Sequence, residues 1–117
     1  MAKTRIYITQ PIAQSAIDRL EKRGDVEIKI NPDATKILPY ETLMEEVKNC
    51  DILYCLLHDV VDKKIMQANP NLKAVASQSI TPDRIDVTGA TELGLPVTVI
   101  PAVVTDATAD MACGLLL

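Results

Sequence analysis

The hydrophobic positions of this chain alternate between two patterns, short runs typical of β-strands and the three-and-four spacing typical of helices. The strand-like runs cover residues 5–9, 26–30, 52–57, 72–77 and 96–100. The second run alternates strictly between apolar and polar residues, which predicts a half-exposed strand at a sheet edge. The third run is apolar without alternation, which predicts a central strand buried on both faces of a parallel sheet.

Helical segments separate these strands and carry the local signals that begin and end helices. Pro11 opens the first helix and Gly24 ends it. Asp62 is the predicted cap of a third helix, and Asp86 begins a fourth that Gly94 ends. The second helix is indicated by apolar residues at helical spacing, namely Tyr40, Leu43, Met44 and Val47.

This order of elements predicts an α/β fold in which right-handed crossovers place helices on both faces of a five-stranded parallel sheet. The edge-like second strand and the apolar third favour the flavodoxin-like strand order 2-1-3-4-5. We predict one domain over residues 1–104. Residues 105–117 start a further helix, with Thr105 or Asp106 as its cap, that runs apolar to Leu117 with neither a cap nor a charge at its end.

The composition argues against several classes of function. Twelve basic and 16 acidic residues give a net charge of −4, which disfavours a nucleic-acid groove or an anionic membrane surface. The apolar runs are far shorter than the roughly 20 residues of a membrane span. No signal-peptide pattern precedes the first strand, so we expect a soluble, cytoplasmic protein that binds neither nucleic acid nor membrane.

The cysteine and histidine content gives no sign of a metal site. Cys50, Cys55 and Cys113 form no CxxC pair, and we expect them to be small buried hydrophobic residues in a reducing compartment. His58 is the only histidine, and no Cys or His pair has ligand spacing. We therefore predict no metal ligands.

Candidate chemistry lies in the loops that follow the strands, because open α/β sheets bind ligands beyond the carboxyl ends of their strands. Loops 9–11, 57–59 and 77–83 qualify. In the third, backbone N–H groups and the hydroxyls of Ser77, Ser79 and Thr81 could hold a small carboxylate or phosphate, although such residues are also ordinary loop composition. His58 titrates near neutrality, but no partner is evident, so a loop histidine is favoured over a catalytic one.

Several motifs resemble the D-isomer-specific 2-hydroxyacid dehydrogenases, and among them the glyoxylate and hydroxypyruvate reductase branch. The matching motifs are CLLHD at 55–59, PNLK at 70–73, DRID at 83–86 and the run from Ala90 to Gly94. The most specific motif is TDATAD at 105–110, which lies at a strand-to-helix position. The resemblance covers essentially the whole chain.

The resemblance implies a division of labour along a longer enzyme. Residues 1–104 would be the substrate-binding domain, and 105–117 the start of an interdomain helix leading to a nicotinamide-binding domain that this chain lacks. The family's glycine-rich fingerprint, catalytic Arg, Glu and acid–base His belong to that second domain, so no catalytic residue is assigned here, and His58 does not match the family's His. NAD or NADP is the implied cofactor of the full-length enzyme. We expect the chain alone to bind none and to be inactive.

Some roles carry over by position. In the family, the loop after the fourth strand offers backbone amides to the substrate carboxylate, and here those positions are Ser79, Ile80 and Thr81. Leu57 matches a residue that borders the substrate. Thr108 matches a residue at the start of a helix, close to the bound cofactor.

One departure from the family pattern concerns this same loop. Relatives commonly have Gly where Thr81 stands and an aromatic residue where Pro82 stands. Thr is strained at positive φ where Gly is not, and Pro82 restricts the residue before it. We therefore expect the loop to follow a different path or to present its amides differently.

The favoured function is the substrate-binding part of an oxidoreductase that interconverts a small 2-hydroxy acid and a 2-keto acid by hydride transfer. The alternative is a stand-alone, non-catalytic flavodoxin-like module for small-molecule binding or interaction, in which the exposed C-terminal helix would bury residues 115–117 in a homodimer. A receiver domain of the same fold is disfavoured, because the first strand ends in Tyr-Ile-Thr-Gln and not in an acidic cluster.

Overall fold

The computed structural model describes residues 3–117, so the first two residues of the predicted domain lie outside it. Five strands and five helices alternate along these residues, as predicted. The strands are β1 (Thr4–Ile8), β2 (Val26–Ile30), β3 (Ile52–Cys55), β4 (Ala74–Ser77) and β5 (Val97–Thr98). The helices are α1 (Gln14–Glu21), α2 (Tyr40–Val47), α3 (Lys63–Gln67), α4 (Val87–Glu92) and α5 (Thr105–Leu116).

The strands form one parallel sheet of order β2-β1-β3-β4-β5, which confirms the predicted fold class and strand order. In the centre of the sheet, Ile6 of β1 lies opposite Ile28 of β2 on one side and Ile52 of β3 on the other. Because all strands run the same way, the loops that follow them meet at one edge, here called the carboxyl edge. The opposite, amino edge carries the starts of the strands.

Helices cover both faces of the sheet, but unequally. The larger core joins α2, α3 and α4 to one face and includes Leu43, Leu53, Ile65 and Val75, each at most 2% exposed. The smaller core centres on α1, whose Ile17 packs with residues of β1 and β2. The prediction that β3 is buried on both faces is therefore only half right: its residues on the first face are buried, and those on the α1 face are half-buried.

The helix caps predicted from side chains at Asp62 and Asp86 are confirmed. Asp62 accepts a hydrogen bond from the Ile65 N–H (2.9 Å), and Asp86 accepts one from the Gly89 N–H (2.9 Å). The predicted start of the first helix is wrong, because Pro11 lies outside any helix and α1 begins three residues later, at Gln14. Ile12 still packs on the smaller core from a non-helical backbone, which explains why the apolar pattern of this stretch predicts a helix.

Helix α5 stands apart from both cores, and none of its residues is buried. Its predicted cap is wrong, because the N-cap position is Val104 and no side chain caps the helix. Cys113 is exposed because it lies on this helix, so the expectation of three buried cysteines holds only for Cys50 and Cys55. Along residues 3–117, no helix has both the length and the apolar character that crossing a bilayer requires.

Candidate functional site

A cleft of about 520 Å³ opens at the carboxyl edge of the sheet, between the loops that follow β3 and β4 and the segment that leads into α5. It brings together four of the residues predicted to bind substrate, Leu57, Ser79, Ile80 and Thr81. Its other lining residues are Leu56, Asp59, Ser77, Gln78, Pro82, Asp83, Arg84, Ile85, Ile100 and Val104. Thr108, the predicted cofactor contact, lies outside the cleft on the exposed α5.

The hydroxyls of the loop after β4 are engaged within the loop itself. The Ser79 hydroxyl donates to the Thr81 carbonyl (2.6 Å), so the 2.7 Å contact between the Ser77 and Ser79 hydroxyls has Ser77 as its donor. The Thr81 hydroxyl donates to Asp83 (2.6 Å). These bonds hold the shape of the loop and leave no hydroxyl proton in it free for a ligand.

The backbone N–H groups of the same loop, unlike its hydroxyls, are not all paired within the protein. Among the described residues, the N–H groups of Ser79, Ile80 and Thr81 donate to no protein acceptor. The loop is anchored on both sides, because Gln78 donates to the Cys55 carbonyl (2.9 Å) and Ile100 donates to that of Ser79 (3.0 Å). Successive free N–H groups in a fixed turn are suited to an anion such as a carboxylate.

The expected strain at Thr81 does not arise. No described residue other than glycine has a positive φ, so Thr81 and Pro82 follow a path that needs no left-handed backbone. That the loop differs from its relatives in path or in the presentation of its amides stays a prediction.

The loop after β3 forms a tight turn that carries Leu57 at its tip. The Asp59 N–H donates to the Leu56 carbonyl (3.1 Å), and the Leu56 N–H donates to the Asp59 carboxylate (2.8 Å). Leu57 is 67% exposed and lines the cleft. The same carboxylate oxygen accepts a hydrogen bond from the hydroxyl of Thr9, at the end of β1.

Sequence analysis does not single out Asp59 as a site residue, although it lies in loop 57–59 and in the CLLHD motif. The available signal was its spacing, because an Asp three residues after Leu56 can close a turn onto that backbone N–H. His58 is half-buried outside the lining of the cleft, with Nε2 4.0 Å from the second Asp59 oxygen. Neither atom has a hydrogen-bond partner among the described residues.

Electrostatics argue against thiol chemistry at the cleft. Burial raises the pKa of the Cys55 thiol, at the end of β3, to about 11, so very little thiolate is present near neutrality. Burial likewise raises the pKa of Cys50 to about 11. Within residues 3–117, no three His, Cys, Asp or Glu side chains come together as a metal site would require.

Comparison with known families matches residues 6–113 to the family described as D-isomer specific 2-hydroxyacid dehydrogenase, catalytic domain. The chain is 39% identical over 115 residues to a glyoxylate reductase of Thermococcus litoralis, covering 98% of this chain and 34% of the relative. It is 38% identical over 119 residues to a glyoxylate reductase of Aeropyrum pernix, covering 100% of this chain and again 34% of the relative. The chain thus spans about a third of the length of the curated relatives it matches.

Solved structures agree with this match. The TT0316 protein from Thermus thermophilus superposes with a TM-score of 0.89 at 33% identity, over 97% of this chain and 36% of that chain. A cofactor (NAD⁺)-bound 3-phosphoglycerate dehydrogenase of Entamoeba histolytica gives a TM-score of 0.80 at 19% identity, over 98% and 38%, and shares the fold.

Proposed function

Because the chain belongs to the D-isomer specific 2-hydroxyacid dehydrogenase family, we propose that it forms the substrate-binding part of an NAD(P)-dependent oxidoreductase. The reaction would interconvert a small 2-hydroxy acid and the matching 2-keto acid. The observation that carries the proposal is the row of three free backbone N–H groups at 79–81 inside the cleft. In this proposal the enzyme is cytoplasmic, as expected from the sequence.

The substrate carboxylate binds to this row. Successive backbone N–H groups can stabilise a negative charge without a buried cation, and bonds to an ionised acceptor are stronger than bonds between neutral groups. Leu57 faces the same cleft from the loop after β3 and borders the rest of the substrate. The carboxylate end is thus fixed by the β4 loop, while the reacting carbon points away from it.

The catalytic steps fall to the rest of the longer enzyme. In this proposal residues 1–104 are the substrate-binding domain, and 105–117 begin the helix that leads to a nicotinamide-binding domain. When bound, NAD or NADP supplies or accepts the hydride. Thr108 suits a position near that cofactor, because its helix start has no side-chain cap and its side chain is exposed. The chain alone is then inactive as a dehydrogenase.

The test is a ¹H–¹⁵N NMR titration of the 117-residue chain with glycolate, a stable two-carbon 2-hydroxy acid. We expect the largest amide shifts at Ser79, Ile80, Thr81 and Leu57. Glycolamide is the matched control, because it keeps the size and the hydroxyl but lacks the carboxylate charge. Equal shifts with both compounds, or shifts located away from the cleft, would overturn the proposal.

The alternative of a stand-alone interaction module is supported by one observation. The leucines at 115–117 are at least 80% exposed, and an apolar helix end of this kind is typical of an interface. If a homodimer covers them, sedimentation of the chain gives a dimer that Leu115→Glu dissociates. A monomer at high micromolar concentration would rule this alternative out.

A further inference from the structure

A buried carboxylate, that of Asp59, lies in the wall of the cleft without belonging to its proposed ligands. Asp59 is 3% exposed, and its side chain 1%. Desolvating a carboxylate is costly unless hydrogen-bond donors compensate, so the donors that meet it show what it is for. Two donors meet one oxygen, the Thr9 hydroxyl and the Leu56 N–H.

We propose that Asp59 is a positioning residue of the cleft, whose carboxylate fixes the turn that presents Leu57 to the substrate. The inference rests on the proposed function, because it assigns a purpose to the same cleft. Asp59 itself makes no contact with the substrate in this scheme. It acts through the backbone of Leu56 and through Thr9.

The turn explains how this action reaches Leu57. Asp59 and Leu56 are joined twice, by the backbone bond of 3.1 Å and by the side-chain bond of 2.8 Å, and Leu57 lies between them. Two thirds of the Leu57 surface is exposed, so packing does little to hold the residue in place. Its direction is therefore set by the backbone of the turn, which the Asp59 side chain closes.

Thr9 gives the turn a fixed reference in the sheet. It is fully buried at the end of β1, and its own N–H donates to the Tyr54 carbonyl of β3 (3.1 Å). Through the Thr9 hydroxyl, Asp59 ties the turn after β3 to the end of the neighbouring strand. A contact built from two strand ends holds a loop more rigidly than a bond within the loop alone.

The hydrogen-bond geometry also allows the role of the Asp59 acceptor oxygen to be tested separately from the charge of the carboxylate. Because both donors meet the same oxygen, the amide oxygen of Asn can accept both bonds, whereas Ala can accept neither. Asp59→Asn should therefore keep the turn and Asp59→Ala should release it. Asp51 offers a matched control, since its carboxylate also joins β3 to β1, by accepting the Arg5 N–H (2.8 Å), but at the amino edge.

The experiment compares glycolate binding by NMR in Asp59→Ala, Asp59→Asn and Asp51→Ala. We expect a loss of about tenfold for Asp59→Ala and at most about threefold for Asp59→Asn, because misplacing a supporting group weakens a site without removing it. Asp51→Ala should bind within about twofold of the unmodified chain, since the cleft is at the other edge. Unchanged binding by a folded Asp59→Ala, or an equal loss in Asp51→Ala, would overturn the proposal.

Two further readouts keep the result decisive. If Asp59→Ala does not fold, Thr9→Val removes one donor at nearly constant shape and should weaken binding by about threefold, and unchanged binding would count against the proposal. If the unmodified chain does not bind glycolate, the proposed function fails on its own. Amide hydrogen exchange then decides about Asp59: faster exchange at Leu56 in Asp59→Ala but not in Asp59→Asn supports positioning, and equal exchange in both refutes it.

Discussion

The two edges of the sheet differ in what becomes of their polar groups. At the amino edge, charged side chains pair with one another, Arg5 at the start of β1 with Asp51 directly before β3 (3.3 Å). A cavity of about 240 Å³ lies beside this pair, and its lining includes Arg5 and a second ion pair, Lys29 with Glu46 (2.8 Å). At the carboxyl edge, the larger cleft is lined by N–H groups at 79–81 that no protein atom of the described chain accepts.

Helices also begin at the carboxyl edge, and their first turns contribute N–H groups there. Asp62 and Asp86 cap α3 and α4, each by accepting one N–H of the first turn, that of Ile65 and that of Gly89. The loop after β4 adds three successive N–H groups, at 79–81, that no described protein atom accepts. Unpaired donors, more than charged residues, therefore distinguish the edge that we propose to bind a ligand from the edge that only closes the fold.

The largest expected contrast concerns the thiols, one near each edge and one on α5. Cys50 and Cys55 are buried with their pKa raised to about 11, whereas Cys113 is exposed. With a disulfide reagent at about pH 8, one thiol should react at once and two at least about a hundredfold more slowly, because burial lowers the thiolate fraction and blocks access. Cys113→Ser should remove the fast phase. A fast Cys55 would mean that the cleft opens down to the strand.

The second contrast is the free energy of unfolding of the two matched Asp→Ala variants. Asp59→Ala leaves the buried hydroxyl of Thr9 and the half-buried N–H of Leu56 without an acceptor and should cost about 3 kcal/mol. Asp51→Ala should cost about 1 kcal/mol, because water reaches the groups it leaves behind. Urea unfolding measures both. Equal losses would show that the two edges do not differ in burial of their polar contacts.

The third contrast is between two hydroxyls that each shape a loop. Ser79→Ala removes the bond to the Thr81 carbonyl and should weaken glycolate binding by about threefold, with stability unchanged within about 0.5 kcal/mol. Thr35→Ala is the control, because the Thr35 hydroxyl bonds to Asp33 (2.6 Å) in an exposed loop outside the cleft lining. If both variants bind alike, the hydroxyl bonds of the β4 loop do not hold its amides in place.

The parts of the fold that were predictable from sequence rest on local or periodic signals. The cap at Asp62 lies three residues from its donor, and the strict alternation of β2 reports directly that it is an edge strand. The wrong predictions concern features that depend on how an element packs in the tertiary structure. Cys113 has apolar neighbours in sequence, but its helix packs on neither core, so apolar neighbours did not mean burial.

The site divides in the same way. Loop 77–83 could be found from its place after a strand, because strand ends of one direction gather at one edge. Its free amides could not be predicted, since the N–H groups that remain unpaired depend on the path of the loop. That path is held by distant anchors such as Ile100, which lies beyond β5 and donates to the Ser79 carbonyl. The contact between Thr9 and Asp59 spans 50 residues of sequence, and no local pattern in a single chain indicates it.

The smallest expected effect is the response of the amino edge to acid. Hydrogen bonds from the Arg5 N–H and guanidinium, and the charge of that guanidinium, hold the pKa of Asp51 below its ordinary value. The unfolded chain therefore takes up this proton first, so the contribution of Asp51 to stability is complete above about pH 4 and is lost as the pH falls through its lower native pKa. The loss should be about 1 kcal/mol or less, because the guanidinium partner is exposed to solvent.

Asp51→Asn tests this effect, because it keeps an acceptor for the Arg5 N–H but takes up no proton. Its unfolding free energy should therefore fall less steeply between about pH 5 and pH 2 than that of the unmodified chain. Parallel curves for Asp51→Asn and the unmodified chain would mean that acid acts on other carboxylates, and that the Arg5–Asp51 pair contributes through its hydrogen bonds and not through its charge.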